Sequence, residues 1–360
     1  MTLLILLVLS VAVPLGWRIA PALNRTVRAR WIRARFDPVA HGLPPREALD
    51  ARRAGPQLPV HRAKEIEAIA HDALQGDWRS AAAFVAAAGE DWDERWARIE
   101  LLQEIAAHRD AWLEDWLRAR PDSCTATTVQ AQLLLHRAWE ARGDGSGQSV
   151  PANRMARFLV LAKAALETAQ QAAPLAPEDP GPWVVMVTAA RALRHDHEEF
   201  VPLWDQLVLR APHHYLGHRQ ALEYWCAKWA GSHRLMMAFA EDAVRRAPAG
   251  SPLAGIYLDA LNELAQRAGR SALPSSAAAR ELLAQVARSL GQAREGDRQL
   301  PRLRHLLASF LLQAGSHDAA LEQFRLIGPW CGAEPWTRER DPAAAFDLAR
   351  GRAATRASRT

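Results

Sequence analysis

Five histidines, His195, His197, His213, His214 and His218, fall close together in the middle of the chain. Imidazoles at that density could ligate a metal or move protons. His214 and His218 also stand four apart, a spacing that sets two ligands on one helix face. His197-Glu198 opens the zinc-protease motif, but the position that needs the second histidine is Val201, so the motif fails. His195, His197, His214 and His218 are therefore weak metal candidates. Helix ends and inter-helix turns are the plainer places for them, since His213 and His214 directly follow Pro212.

Other reactive residue types are equally thin. Ser232, between Gly231 and His233, could be imagined as a nucleophile, but it lacks the strand–turn–helix setting of a nucleophile elbow. It reads better as the cap of a following helix. Gly143 to Gly147 has the glycine content of a phosphate loop, yet no Gly-Lys-Ser/Thr follows and Asp144 alone is too few acids for calcium. The acid runs Asp91 to Glu94, Glu198-Glu199 and Glu241-Asp242 read as solvated helix faces. Cys124, Cys226 and Cys331 are odd in number and far apart, which argues against a disulfide framework or a structural zinc site. No catalytic residue, no cofactor and no metal is expected.

The elements that would carry these residues are helices. Apolar residues recur at helical spacing in Ile66, Ile69, Ala70, Ala73 and Leu74, again from Leu101 to Leu117, and again through Leu203, Trp204, Leu207 and Val208. Prolines close the helical stretches at Pro121, Pro177, Pro212 and Pro248, and the last two intervals are 35 and 36 residues. A period near 34 with a closing proline is the tetratricopeptide-like pattern. Gly315 with Ala320 and Phe324 matches the second half of such a unit, and Gly76-Asp77-Trp78 with Ala81 is a partial copy. The first-half Trp, Leu-Gly and Tyr positions are largely missing, so the repeats are degenerate. The expected fold class is all-α: stacked antiparallel helical hairpins, a tetratricopeptide-like α-solenoid, with an N-terminal membrane-anchor helix.

The chain has fourteen tryptophans, and Trp92/Trp96, Trp112/Trp116 and Trp225/Trp229 are four apart, so each pair is expected to share a helix face. An aromatic groove for a peptide or acyl chain is one reading; packing between hairpins is the plainer one. The segment Ala211 to Leu222, followed by Ala227 to His233 and Met236, resembles an uncharacterised family of high-GC bacterial helical-repeat proteins with a Lys-Trp-x-Gly-Ser core. The resemblance spans residues 63–330 and is sharp over about 40 of them. It implies a helical-repeat fold and brings no activity. Trp225, Lys228, Trp229, Gly231, Ser232 and Met236 are the partner-binding or structural core residues it singles out.

The first residues set location. Leu3 to Gly16 is apolar apart from Ser10, and extension through Leu23 gives about twenty residues, enough for about 30 Å of hydrocarbon. Trp17 is an interfacial anchor and Arg18 can snorkel to the headgroups. Arg25, Arg28 and further arginines to Arg35 follow the run and none precedes it, so the positive-inside rule keeps the C-terminal body in the cytoplasm. A cleaved signal peptide ending near Ala20-Pro21-Ala22 would want its positive charge ahead of the run. An ordinary buried helix is the other bland reading.

Charge is concentrated at the ends: residues 1–62 carry +7, residues 338–360 carry +3, and the body between carries −5. A nucleic-acid binder would show its basic stripe on the folded body, so that class is set aside. The sequence thus divides into an anchor at 1–24, a basic juxtamembrane segment and Pro/Gly linker at 25–62, a helical-repeat body at 63–337 and a basic tail at 338–360. The functional expectation is a single-pass, membrane-tethered scaffold that binds a protein or peptide partner. Two alternatives are an enzyme, metal-dependent or otherwise, using the His195–His218 region, and a lipid-surface protein using Arg25 to Arg35.

Overall fold

The computed structural model describes residues 36–143, 150–273 and 275–357, and among them every extended element is helical. The described residues form fifteen α-helices with short 3-10 turns, and the one β-type contact among them is an isolated bridge between Asp50 and Trp330. The chain forms two compact units. One is Gln57–Leu273; the other joins the described parts of Met1–Pro56 and Pro274–Thr360.

The 57–273 unit holds α1 (Val60–Leu74), α2 (Trp78–Ala86), α3 (Trp92–His108), α4 (Ala111–Ala119), α5 (Cys124–Arg142) and α6 (Ala152–Ala172). It continues through α7 (Gly181–Leu193), α8 (His197–Arg210), α9 (Tyr215–Tyr224), α10 (His233–Arg246) and α11 (Ile256–Ala268). Short polar side chains start many of them: Asp77, Asp91, Ser123, Asp196 and Ser232 each accept a first-turn backbone N–H. Such caps contribute about 1 kcal/mol each. Each proline-bounded interval holds one helical pair, α7–α8 after Pro177 and α9–α10 after Pro212. The longer Pro248–Pro329 interval holds four helices, α11 and three more in the other unit.

Packing follows two rules in this unit. Chain neighbours pair, as α5 with α6, α7 with α8 and α10 with α11. Alternate helices also stack, α3 on α5, α5 on α7, α7 on α9 and α9 on α11. A helix in that inner row is flanked on two sides and can bury residues all round its axis. Accordingly α7 buries every residue from Val184 to Ala190, and α11 every residue from Ile256 to Asn262. The outer α6 buries only a stripe: Phe158, Ala162, Ala165, Leu166, Ala169 and Ala172.

The second unit contains α12 (Ala277–Gly291), α13 (Leu300–Gln313), α14 (His317–Ile327) and α15 (Pro342–Ala354). Ala320 and Phe324, the small-residue and aromatic positions of the Gly315 turn, are fully buried. Phe324, Trp336 and Phe346 meet at centroid distances of 5.2 to 6.0 Å.

The boundaries drawn from composition do not coincide with this division. Much of the segment called a linker packs on the C-terminal helices: Asp50 N–H donates to Pro329 O, Cys331 N–H to Asp50 O and Gly332 N–H to Arg53 O. Gly332 is required there, because a Cβ would lie 2.6 Å from Ala51 O. The segment called a tail contains α15, and its charge is partly internal. Arg350 is fully buried and donates to both Asp347 Oδ1, at 2.9 and 3.0 Å, and Pro44 O, at 2.7 Å. Proline and glycine rule out helix but not packing, and a count of arginines does not say which ones face inward.

The anchor expected at residues 1–24, with Trp17 and Arg18, and the flanking Arg25 and Arg28 lie outside the described residues. Among the described residues no helix is long and apolar enough to cross a membrane.

Candidate functional site

A cleft of about 570 Å³ lies in the 57–273 unit between the α7–α8 turn and the end of α9. One wall is Arg194, His195, Asp196, His197 and Glu198; the other is Tyr224, Lys228, Trp229 and Ala230; Arg191 is part of the lining. Its volume falls in the usual range for ligand sites.

Local sequence builds both walls. Arg194 ends α7 in the left-handed region, with φ 59°, and it is the only non-glycine residue with positive φ among the described residues. Asp196 then opens α8 with a reciprocal capping box. Its carboxylate accepts from Glu199 N–H at 3.0 Å, and Glu199 accepts from Asp196 N–H at 3.1 Å. This reverses the chain in three residues. On the other side α9 stops at Tyr224, and residues 225–231 curl back on themselves. Ala230 N–H donates to Tyr224 O, Gly231 N–H to Cys226 O and Ser232 N–H to Trp225 O. At Gly231 the backbone presses on Trp225 so closely that any Cβ would overlap its carbonyl, which is the physical reason for glycine in this motif. The walls are tied together by His197 Nε2 to Ala230 O at 3.1 Å and by Tyr224 O–H donating to His195 O at 3.1 Å.

The expected Trp225/Trp229 pair on one helix face is corrected by that turn. Trp225 packs on His197, Phe200 and Tyr224, while Trp229 meets Trp139 of α5 edge-on at 5.9 Å. Trp96, Trp112 and Trp116 are core residues, as packing between hairpins requires.

Charge in the cleft is uneven. The Arg191 guanidinium lies against the Trp139 and Trp229 rings, 5.0 and 5.3 Å from their centroids. Burial pushes its pKa below the usual arginine value, and Glu223 at 3.5 Å offsets this only in part. Lys228 donates to Glu223 at 2.7 Å and to Glu263 of α11 at 3.0 Å. Burial opposes charge on Lys228, but the two carboxylates outweigh it and its pKa is raised. Arg191 Nε, His195 Nδ1 and Trp229 Nε1 are buried and have no hydrogen-bond partner among the described residues. Burial, with Asp196 and Glu199 nearby, raises the Tyr224 hydroxyl to about 12, so it stays a donor.

No family model, no curated protein and no solved structure matches this chain.

The histidine cluster is split by the fold. His195 and His197 line the cleft, whereas His214 and His218 are buried at the start of α9. His214 Nδ1 caps that helix by accepting from Gly217 N–H at 2.9 Å, and His218 Nδ1 reaches His214 O at 2.9 Å. Among the described residues no group of three or more His, Cys, Asp or Glu side chains is placed to hold a metal ion. Ser232 caps α10 by accepting from Leu235 N–H at 3.1 Å, and Met236 is fully buried against Cys226. The cysteines are buried and free; burial raises Cys124 and Cys226 to about 12 and Cys331 to about 11, which leaves all three as thiols at neutral pH.

Sequence reading missed Arg191, Arg194, Glu223, Glu263 and Trp139. Arg191 did leave a signal, because it is the one charge inside the apolar run from Trp183 to Leu193. Trp139 left none, since its approach to Arg191 depends on α5 packing against α7.

Proposed function

We propose that this chain is a helical-repeat scaffold, tethered to a membrane through residues 1–24, that seats a segment of a partner protein in the α7–α9 cleft. The observation that carries this reading is the cleft itself: an aromatic and charged recess of about 570 Å³ opened between successive helical pairs. The alternate stacking of α3, α5, α7, α9 and α11, together with the proline interval near 35 residues, supports a tetratricopeptide-like α-solenoid. Solenoids bind extended partners along such surfaces, with aromatic anchors and arginine as the strongest contributors. Catalysis is not part of the reading. His214 caps a helix, His218 packs on Trp204, His197 bonds to Ala230 O, and the three cysteines are held as neutral thiols.

The test is site-specific photo-crosslinking in the cell that makes the protein. A photoreactive residue replaces Ala230 at the lip of the cleft or Val160 on the exposed side of α6. The expected result is a discrete crosslinked protein from position 230 that is absent from position 160. Equal products from both positions, or none from position 230, would overturn the proposal.

A further inference from the structure

We propose that the cleft recognises an acidic peptide segment, one glutamate or aspartate side chain of which pairs edge-on with the Arg191 guanidinium. This rests on the reading of the cleft as the partner's seat and names the chemistry of what sits there. Trp139 and Trp229, edge-on to each other, both pack against the guanidinium and offer it no acceptor, so its hydrogen bonding falls to its in-plane N–H edge. That edge is poorly served. Its contact with Glu223 is 3.5 Å long, and the same oxygen already takes Lys228 at 2.7 Å. Arg191 Nε has no partner among the described residues.

Within the ion-pair network that includes Arg191, cations also outnumber carboxylates by one. Arg191, Lys228 and Arg267 share two carboxylates, those of Glu223 and Glu263. Arg267 is half exposed and solvated, so the deficit falls on Arg191, whose side chain is only 11% exposed. A carboxylate meets both needs, because its two coplanar oxygens match the guanidinium fork. Trp229 Nε1–H and His195 Nδ1 are further unpartnered groups of the same lining. Asp196 and Glu198 in the opposite wall oppose a dianion, which favours a carboxylate over a phosphate group.

The experiment is equilibrium binding to the full-length protein of three fluorescent pentapeptides. One is blocked at both ends with a central glutamate, the second has glutamine there, and the third has a free C-terminus as its only carboxylate. The expected result is a preference of about tenfold for the glutamate peptide, the worth of one charge-assisted bidentate pair. Arg191→Lys keeps the charge and loses the fork, so it should abolish that preference. Trp229→Phe keeps a ring over the guanidinium and should reduce the preference severalfold; it serves if Arg191→Lys fails to fold by circular dichroism. Equal binding of the glutamate and glutamine peptides, or a preference unchanged in both variants, overturns the proposal. So does binding that requires the free C-terminus. Position-230 crosslinking with no glutamate preference would overturn this inference alone and leave the docking role standing.

Discussion

Acidification from about pH 6.5 to about pH 4 is expected to remove a large part of the stability of the 57–273 unit, because two of its histidines are folded in as neutral rings. Burial lowers His214 and His218 from 6.5 to about 4. His214 Nδ1 must be unprotonated to accept from Gly217 N–H, so charging that nitrogen also breaks a helix cap. Asp93 lies 3.9 Å from His214 Nε2, but it is nearly half exposed and does not offset the burial. His218 is packed edge-on against Trp204 at 4.8 Å.

The direction follows from linkage. Both folded pKa values lie below the unfolded value, so the unfolded chain takes up protons first as pH falls. The contribution is whole above about pH 6.5 and is lost on the way down to about pH 4. Each shift corresponds to about 3 kcal/mol. Together they remove about 6 kcal/mol, against a typical total of about 5 to 15. Circular dichroism against pH should show loss of helix over that window, and His218→Phe should move the transition to lower pH. His305 places the same demand on the other unit. It is fully buried, also lowered to about 4, and accepts from Trp336 Nε1–H at 2.9 Å through Nδ1.

The second large effect is Asp347→Ala. Asp347 is 2% exposed and holds both Arg350, which is fully buried, and Arg46 at 2.8 Å. Removing it strands the Arg350 guanidinium in the core with one protein acceptor, Pro44 O. Breaking a buried pair by deleting one partner costs about 3 to 5 kcal/mol. The double variant Asp347→Ala with Arg350→Met takes away the stranded charge as well and should recover most of the loss. Urea unfolding of the three proteins checks both statements. If the single variant costs under about 1 kcal/mol, Asp347 does not hold the segment and α15 together.

These two groups mark where the sequence could and could not be read. Helical periodicity and the closing prolines located the pairs α7–α8 and α9–α10 because both signals are local. Ser232 as a cap and His214 at a helix end were legible for the same reason. The Trp225/Trp229 face was misread, since spacing alone cannot tell another helical turn from a chain that curls back over Trp225 at Gly231. The linker and the tail were misjudged because Arg46 and Arg350 are about three hundred positions apart and meet only through Asp347. The cleft was half visible. His195, His197, Lys228 and Trp229 stand out in the sequence, but Arg191 becomes notable only when the fold brings Trp139 against it.

Hydrogen exchange of the full-length protein with and without the blocked glutamate pentapeptide tests the central claim most directly. Slowed exchange confined to backbone amides of residues 191–198 and 223–232 is the predicted pattern. Slowing centred on α1 to α4, or none at saturating peptide, would contradict a docking site in the α7–α9 cleft.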